Sequence, residues 1–435
     1  MKAMDLLEKV KQRHFRVGVV GLGRVGLPLA IAFARRGLDV VGVDLDEERV
    51  SSTRRGKMPF SEVGGKAAIQ EATSAGKLHA TSDYDALREV DVLFITVGTP
   101  LATEIRADYS QIRAALDALA PRLRPVQLLA IRSTVSPGTL QKTVVPYLTE
   151  RTNLKLGEEL LLASTPERIS AGHAFVELET LPEIVGGINE TSAEVAAEVL
   201  RTLNPAKRVF QMDPTSAELA KLFSNVYRYV TFAVANEFAM LAELHGVDVH
   251  RIIRAINEGY PRGGVPLPGP CGGPCLAKDG YLLIEELTFP DFILTAWKLN
   301  EGVPAYLVRR LKDSLQRSGR ELAGARVAVL GMGFKADIDD TRQSPAIRIL
   351  ELLRREGAEA RCYDPYHPTP SLHEVLSDAD AVVLATNHSA FRRLTPARVR
   401  QKTRPDCILL DAWGLWNEGE SADPGLLVFG KGQKT

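Results

Sequence analysis

The chain has 435 residues, of which 45% are hydrophobic and 25% are charged. This mix is typical of a globular protein, and the length predicts two or three domains because a single core rarely serves so long a chain. Lys plus Arg and Asp plus Glu both number 54, so a net charge of zero excludes bulk attraction to nucleic acid or to an anionic membrane.

The chain lacks the sequence features of a secreted or membrane protein. Residues 1–15 mix charged with apolar residues and contain no apolar stretch of signal-peptide type. No later segment is long and apolar enough to span a bilayer, and four cysteines do not make a disulfide scaffold. We therefore expect a cytoplasmic protein without nucleic-acid or membrane partners, in which a cysteine is packed, catalytic or metal-bound.

The first predicted elements form a βαβ unit. Residues 16–21 are a β-branched apolar run, followed by a glycine-rich turn, a helical segment that ends on Gly37, and an apolar run that ends in Asp44. Further strands are predicted within 90–98 and 125–135, with helical patterns between them. This alternation predicts a parallel, doubly wound sheet.

The middle of the chain has a different pattern. Residues 211–258 contain no strand-like alternation and predict a long helix, with Asp213 or Thr215 as its cap and Gly246 at its end. Its apolar face either packs inside the domain or buries a dimer interface. A second α/β pattern starts at Arg326.

These patterns divide the chain into three expected domains, and the predicted fold class is α/β. Two Rossmann-like doubly wound α/β domains, residues 1–210 and 311–435, are joined by a helical central domain of residues 211–310.

The glycine-rich turn predicts a dinucleotide site. Gly21, Gly23 and Gly26 form a GxGxxG motif between a strand and a helix, and Asp44 ends the next strand. Glycines at these places allow the tight turn, the approach of a pyrophosphate and close packing of helix on strand. A carboxylate at Asp44 accepts hydrogen bonds from a ribose and repels a 2′-phosphate, which favours NAD, although Arg49 lies nearby.

Polar residues follow several of the other predicted strands. Gly98 and Thr99, and then Ser133 and Thr134, lie where an open α/β sheet binds its ligand, and they either contact a cofactor or cap helices. Glu167 also follows an apolar strand. Its carboxylate is either a general base or the ion-pair partner of the neighbouring Arg168.

Lys221 and Asn225 are four residues apart on the predicted long helix and so share one face. The lysine either extends along apolar surface to reach water or, together with the amide, holds an oxyanion or a water molecule. Further along the chain, Lys335 and Arg342 follow the first strand of the last domain, where they either bind an anion or form a solvated charged turn.

The stretch 259–274 is rich in glycine and proline and is either a linker or a binding loop. It carries Cys271 and opens into Cys275. The two cysteines are too few for a structural zinc site, and no histidine lies nearby in sequence, so we expect no metal. Cys275 is either an inert buried thiol or a nucleophile whose pKa is lowered by a lysine or a helix N-terminus.

In this order the motifs resemble the UDP-glucose / UDP-N-acetylmannosamine dehydrogenase family. The resemblance covers nearly the whole chain. The matching stretches are GLGRVGLP, VDLD, VGTP, RSTVSPGT, TPERISAG, AELAKLFSNVYR, PGPCGGPCLAKD, GFKADIDDTRQSP and YDP. It implies an N-terminal NAD domain, a central helical dimerisation domain and a C-terminal UDP-sugar domain.

The resemblance also implies the chemistry. The family oxidises the C6 alcohol of a nucleotide sugar to a carboxylate with two NAD. By this similarity Cys275 attacks the C6 aldehyde to form a thiohemiacetal, and the thioester left by the second oxidation is hydrolysed. Lys221 and Asn225 steady the oxyanion, Asp279 places the water, and Glu167 is the general acid/base, acting through water.

The resemblance further implies that Arg262 reaches the substrate site of the neighbouring subunit in a homodimer or a higher oligomer, and that Gly272 and Gly273 let the loop approach the sugar. The expected substrate contacts are Glu167, Arg168, Lys221, Asn225, Arg262, Gly272, Gly273 and Lys335. The expected NAD contacts are Gly21, Gly23, Gly26, Asp44, Arg49, Gly98, Thr99, Ser133, Thr134 and Arg342.

The sugar is predicted from two stretches. Residues 165–187 resemble the N-acetylhexosamine branch of the family, with Ala171 where the UDP-glucose branch carries a glutamate, and PGPCGGPC points the same way. The KD after Cys275 is closer to the UDP-glucose branch. We expect UDP-N-acetylmannosamine, with UDP-N-acetylglucosamine and UDP-glucose as alternatives.

Two other functions are compatible with parts of the sequence. An ordinary two-electron hydroxyacid-type dehydrogenase shares the NAD domain and the helical centre but needs no cysteine. A regulator that binds NAD and a UDP-sugar without catalysis needs neither Cys275 nor Lys221. For Cys271 we expect a packing role, and a reversible link to Cys275 under oxidation is a further hypothesis.

Overall fold

The structure is a computed structural model that describes residues 3–102, 106–285, 287–416 and 425–432. The chain folds as two compact units. One contains residues 1–224 and 281–287, and the other contains residues 225–280 and 288–435. The domain boundaries predicted at 210 and 310 stay predictions.

The first unit is built on one sheet. Its strands are β1 (Val17–Val20), β2 (Val40–Val43), β3 (Leu78–Thr81), β4 (Val92–Ile95), β5 (Gln127–Ile131), β6 (Leu160–Ser164), β7 (Glu183–Gly187) and β8 (Val209–Met212). They lie in the order β3-β2-β1-β4-β5-β6-β7-β8, and all neighbours are parallel except β6 and β7. The first six strands have the order of a dinucleotide-binding sheet.

Helices cover both faces of this sheet. They are α1 (Ala3–Lys11), α2 (Gly26–Arg35), α3 (Glu47–Arg54), α4 (Gly65–Ser74), α5 (Ser110–Leu119), α6 (Val145–Thr149), α7 (Ala174–Thr180) and α8 (Glu190–Arg201), with 3₁₀ turns at Tyr84–Leu87 and Ala120–Arg122 and a π-helical stretch at Leu140–Val144. Val17 and Val19 of β1 pack into one apolar cluster and Val20 into another, because successive strand residues point to opposite faces.

Two long helices occupy the middle of the chain. The helices that follow the first sheet are α9 (Pro214–Leu244), α10 (Val249–Asn257), α11 (Leu276–Ile284) and α12 (Asp291–Arg317). The Asp213 carboxylate accepts the N–H of Ser216 at 2.9 Å and so caps α9, and Gly246, with φ of +67°, follows its end. Both features agree with the predicted helix boundaries.

The second unit contains a smaller parallel sheet. Its strands are β9 (Arg326–Leu330), β10 (Glu359–Tyr363), β11 (Ala381–Leu384), β12 (Ile408–Asp411) and β13 (Leu426–Val428), in the order β10-β9-β11-β12-β13. The accompanying helices are α13 (Pro345–Arg355), α14 (Leu372–Leu376) and α15 (Pro396–Arg400), with a 3₁₀ turn at Ser389–Arg393. The predicted fold class, two Rossmann-like α/β domains with a helical centre, is confirmed.

Among the helices of the described residues, none combines the length and the apolar character that crossing a bilayer requires.

Candidate active site

The glycine-rich turn links β1 to α2 with the geometry of a phosphate-binding loop. Gly21 has a φ of +95°, and a Cβ at Gly26 would lie 1.9 Å from the carbonyl oxygen of Gly21 and 2.3 Å from Oγ1 of Thr96. A Cβ at Gly23 would meet no atom within 4 Å. Two glycines are therefore required by the fold, whereas the space beside Gly23 fits an approaching pyrophosphate.

Asp44 lies at the end of β2 and faces this turn. Its carboxylate accepts the N–H of Leu22 at 2.6 Å and the guanidinium of Arg49 at 2.9 Å, both on Oδ2, while Oδ1 accepts the N–H of Asp46 at 2.9 Å. The predicted ribose acceptor is thus oriented by the glycine turn itself. A bound ribose competes with Arg49 for the same oxygen, so both residues belong to the predicted cofactor site.

The hydroxyl residues at the ends of β4 and β5 bond to each other's loops. Thr99 donates to the carbonyl of Thr134 at 2.6 Å, and Ser133 donates to the carbonyl of Val97 at 2.7 Å. Gly98 lies exposed between these contacts. The structure therefore brings these four predicted residues to one edge of the sheet, and their contact with NAD stays a prediction.

Glu167 forms an ion pair, but the partner differs from the one predicted. Nε of Arg132 donates to Oε2 of Glu167 at 2.7 Å, and the amides of Arg168 and Ile169 donate to Oε1 at 2.7 and 3.0 Å. The side chain of Arg168 turns away and donates to the carbonyl of Pro182. The predicted Glu167–Arg168 ion pair is wrong because the adjacent strand β5 delivers a buried arginine to the same place.

Arg132 is completely buried and holds a network of charges. Besides Glu167 it bonds Glu183 at 3.3 Å, and Glu183 in turn pairs with Lys207 at 2.7 Å. Burial opposes the charge of Arg132, but the carboxylates of Glu167 and Glu183 outweigh it and raise the arginine pKa above its usual range. Each buried charge is thus compensated, and the carboxylate of Glu167 is held in one orientation.

Asn225 holds the buried carboxylate of Asp279. Lys221 and Asn225 lie one turn apart on α9, as predicted, and each side chain is almost fully buried. Nδ2 of Asn225 donates to Oδ2 of Asp279 at 2.6 Å, and Lys278 donates to Oδ1 at 3.0 Å. Asp279 is fully buried, so these two bonds stabilise its charge.

Cys275 lies immediately before α11. Its carbonyl accepts the amide of Asp279 at 2.9 Å and that of Lys278 at 3.1 Å, so Asp279 lies one helical turn from the cysteine. The residue is exposed, and its place at a helix N-terminus favours a thiolate electrostatically. These features agree with a nucleophilic cysteine and not with an inert buried one.

The glycines before Cys275 are required by packing. Gly273 has a φ of +98°, and a Cβ there would lie 2.6 Å from the ring of Phe334. A Cβ at Gly272 would lie 2.6 Å from the carbonyl oxygen of Gln343, which also accepts the amide of Gly273 at 2.9 Å. The glycine-rich stretch is therefore a docked loop and not a free linker. Its approach to the sugar stays a prediction.

Arg342 lies near Cys275. Its guanidinium forms two bonds to Asp340, at 2.9 and 2.7 Å. These bonds raise the pKa of Arg342, and an electrostatic interaction with Cys275 adds to the rise. Arg342 is thus within electrostatic reach of Cys275, and Lys335, half-buried, lies earlier in the same segment. Their predicted contacts with NAD and substrate are not tested by these interactions.

Arg262 and Cys271, two further residues singled out in the sequence, differ in their exposure to solvent. Arg262 is exposed, where its Nε donates to the hydroxyl of Tyr260 at 2.9 Å and its guanidinium stacks on that ring. Cys271 is half-buried and carries a thiol, and burial raises its pKa to about 12. The high pKa keeps Cys271 as a thiol near neutral pH, and the thiolate is the reactive form, so the hypothesis of a reversible link to Cys275 stays untested.

Comparisons with known proteins identify the family. Three domain profiles of the UDP-glucose/GDP-mannose dehydrogenase family match the chain: the NAD-binding domain at residues 15–204, the central domain at 215–301 and the UDP-binding domain at 328–418. The chain belongs to this family. Hence it is an NAD-dependent oxidoreductase, and the predicted family, enzyme class and cofactor are confirmed.

Relatives and solved structures of the family resemble the chain over nearly its full length. The UDP-N-acetyl-D-mannosamine dehydrogenase of Pyrococcus horikoshii is 36% identical over 399 residues, which cover 91% of this chain and 94% of the relative. A structure of the UDP-D-ManNAc dehydrogenase from that organism has a TM-score of 0.91 at 34% identity and covers 96% and 100% of the two chains. The UDP-N-acetyl-mannosamine dehydrogenase of Staphylococcus aureus has a TM-score of 0.85 at 30% identity, covering 95% and 98%.

Two further buried charged residues contact the predicted site residues or the loop beside them, and the sequence patterns did not single them out. Arg132 ends the apolar stretch QLLAIR, and the available signal was an arginine directly after one buried strand, with Glu167 shortly after the next. Glu218 lies on α9, where a carboxylate one turn before Lys221 stands among apolar residues. Both side chains are almost fully buried and hydrogen-bonded.

Proposed function

We propose that this dehydrogenase oxidises the C6 hydroxyl of UDP-N-acetyl-D-mannosamine to the carboxylate of UDP-N-acetyl-D-mannosaminuronate. The observation that carries the proposal is Cys275 at the start of α11, one turn from the buried carboxylate of Asp279. A second oxidation at the same carbon needs a nucleophile that adds to the aldehyde. The adduct then carries a C–H bond from which a second hydride can leave. The relatives that act on UDP-N-acetyl-D-mannosamine support this sugar.

Four electrons leave C6 in two steps. NAD supplies the acceptor of one hydride in each of them. First, the alcohol loses a hydride and a proton to give the aldehyde, and Glu167 accepts the proton through a water molecule. Next, the thiol of Cys275 adds to the aldehyde as a thiohemiacetal. Loss of the second hydride and a proton leaves a thioester, and water hydrolyses it to the carboxylate and restores the thiol.

The remaining polar residues stabilise and orient these species. We propose that Lys221 and Asn225 bind the oxyanion on C6 and that Asp279 positions the hydrolytic water. The bond from Asn225 to Asp279, 2.6 Å long, supports this because it fixes the orientation of the amide. Both oxygens of Glu167 already accept bonds from Arg132 and from backbone amides, so proton transfer requires one of these bonds to lengthen.

Substrate and cofactor contacts follow the same assignment. We propose that Asp44, with Arg49 displaced, binds the ribose of NAD, and that Arg342 lines the cofactor pocket. Lys335 and Arg168 contact the UDP-sugar in this proposal. Residues 1–210 then bind NAD, residues 211–310 contain the dimer interface, and residues 311–435 bind UDP. We place the reaction in the cytoplasm, because a catalytic thiol needs a reducing compartment.

A homodimer is the assembly that best explains one apolar surface. Phe238 and Leu241 of α9 lie exposed beside Ile252 and Ile256 of α10, and together they line a groove with few polar atoms. Monomeric proteins rarely expose so many large apolar side chains together. We propose that a second copy covers this groove and that Arg262 of each copy reaches the substrate of the other.

An assay of NADH formation tests the proposed function. UDP-N-acetylmannosamine, UDP-N-acetylglucosamine and UDP-glucose are each supplied with NAD to the parent protein and to Cys275→Ala. The proposal predicts the highest kcat/KM for UDP-N-acetylmannosamine, and for Cys275→Ala no turnover with NAD binding intact. The matched control Cys271→Ala keeps the parent rate.

Each other outcome identifies a different function. A higher kcat/KM for one of the other two sugars makes that sugar the substrate. Full activity of Cys275→Ala is the result expected of a two-electron hydroxyacid-type dehydrogenase. Binding of all ligands without NADH formation is the result expected of a regulator.

A further inference from the structure

A buried carboxylate on α9 caps a helix to which it does not belong. The side chain of Glu218 is 1% exposed. Its Oε2 accepts the amide of Gly138 at 2.6 Å, and its Oε1 accepts the amide of Leu140 at 3.0 Å. The amide of Leu140 is the first of the helical segment 140–149, and the amide of Gly138 lies two residues before it, so Glu218 supplies acceptors at the N-terminus of that segment.

The capped amides belong to the loop of residues 133–140, which begins with the predicted cofactor contacts Ser133 and Thr134. This loop is held together internally. The hydroxyl of Tyr109 accepts the amide of Ser136 at 2.9 Å, and the hydroxyl of Thr139 donates to the carbonyl of Ser136 at 2.6 Å. Ser136, between the capped amides and the cofactor end of the loop, is therefore held by both Thr139 and Tyr109.

We propose that Glu218 is a positioning residue that couples the 133–140 loop to the turn of α9 that carries Lys221. Lys221 follows Glu218 by three residues, so the two side chains lie on neighbouring positions of one helix face. Through the two amide bonds, the loop fixes the rotation and the axial position of this turn. The inference rests on the proposed function, because it assigns Lys221 to the oxyanion and the loop to NAD.

The charge of Glu218 strengthens this coupling and makes it depend on pH. Burial raises the pKa of Glu218 to about 7, although the amides of Leu140 and Gly138 lower it. Among charged groups, Asp213 adds to the rise. The methylenes of Lys142 lie beside Gly138, and Lys221 follows Glu218 by three residues on α9. Protonation removes the negative charge and turns one of the two acceptor oxygens into a weaker acceptor, so the coupling weakens as pH falls through about 7.

The stability contributed by Glu218 changes with pH in the opposite direction. Its pKa in the folded protein lies above the ordinary value of 4.5, so folding favours the protonated form. That contribution is complete below about pH 4.5 and is lost as pH rises through about 7. If Glu218 had a purely structural role, only the stability of the protein would change between about pH 4.5 and pH 7. If Glu218 is a positioning residue, the activity of the enzyme rises over the same pH interval in which the protein loses stability.

The test compares Glu218→Gln with the parent and with Thr215→Val. Thr215 also joins α9 to the capped segment, through an exposed, neutral bond of 3.1 Å to Gln141, so Thr215→Val is the matched control. We expect Glu218→Gln to lower kcat about tenfold, the effect of one charge-assisted hydrogen bond, with KM for UDP-N-acetylmannosamine within about twofold. In the parent we expect kcat to decline as pH falls below about 7. This decline should be absent in Glu218→Gln and present in Thr215→Val.

A parental kcat and pH profile in Glu218→Gln, with only a lower Tm, overturns the inference. If Glu218→Gln does not fold, Glu218→Asp keeps the charge on a shorter side chain, and an unchanged profile midpoint overturns the inference equally. Lys221→Ala separates this failure from that of the proposed function. If Lys221→Ala loses turnover while Glu218→Gln keeps the parental kcat and pH profile, the inference about Glu218 is refuted and the proposed function stands. If Lys221→Ala keeps full turnover, both the inference and the proposed role of Lys221 are refuted.

Discussion

Replacing Gly23 or Gly26 by alanine separates the two roles of the glycine turn. At Gly26 the new Cβ would lie 1.9 Å from the carbonyl oxygen of Gly21. Ordinary contacts of a Cβ begin at 3.4 Å, so the turn must open by about 1.5 Å. Overpacking of this kind costs about 3 kcal/mol, which lowers Tm by about 6–12 °C. We expect NAD binding to fall with it.

At Gly23 the same methyl group meets no atom within 4 Å. The folded protein therefore accommodates the alanine, and the smaller entropy of the unfolded chain stabilises it by about 0.5 kcal/mol. We expect an unchanged or slightly higher Tm but at least about a tenfold rise in the Kd for NAD, because the methyl occupies the space that we assign to the pyrophosphate.

Differential scanning fluorimetry and calorimetric titration with NAD measure both quantities on the same samples. Parental NAD affinity in Gly23→Ala would refute this reasoning, because the pyrophosphate then does not approach the turn. A parental Tm in Gly26→Ala would show that the contact between the turn and α2 relaxes without cost.

The remaining predictions concern thiol reactivity and cofactor choice. Because burial raises the pKa of Cys271 to about 12, iodoacetamide at pH 8 should alkylate Cys275 long before Cys271. Peptide mass spectrometry should find the label on Cys275, and equal labelling of the two cysteines contradicts the assigned reactivity. Asp44→Ala removes the proposed ribose acceptor and releases Arg49 from its ion pair. The kcat/KM for NAD divided by the kcat/KM for NADP should therefore fall by at least about tenfold. An unchanged ratio contradicts the assignment of Asp44 to the ribose.

Local spacing was enough to predict the parts of the site that lie within single elements. The glycine turn, Asp44 at the end of β2 and the pair Lys221 and Asn225 follow from strand and helix periodicity. The role of Asp279, which lies one turn after Cys275, was implied only by the resemblance to the family. The alternation of strands and helices likewise predicted two α/β domains and a helical centre.

Contacts between distant segments were not predictable from spacing. Arg132 and Glu167 are 35 residues apart and meet because β5 and β6 are neighbours in the sheet. Sequence adjacency instead suggested Arg168. The partners Glu218 and Gly138 are 80 residues apart, and nothing local to either residue indicates the bond.

The glycine at position 273 is a third case in which distant packing decides a residue. The resemblance to the family implied that this glycine lets the loop approach the sugar, whereas the ring of Phe334, which packs against it, already excludes a side chain there. A positive φ at the same residue adds a backbone reason. Glycine-rich motifs therefore predict close approach reliably but do not identify what approaches.

The most direct test of the four-electron mechanism through Cys275 is the stoichiometry of NADH formation. A limiting, known amount of UDP-N-acetylmannosamine is consumed with excess NAD, NADH is measured by its absorbance at completion, and the sugar product is weighed by mass spectrometry. The mechanism predicts two NADH for each sugar and a carboxylate product. One NADH for each sugar, with a released aldehyde, would contradict it.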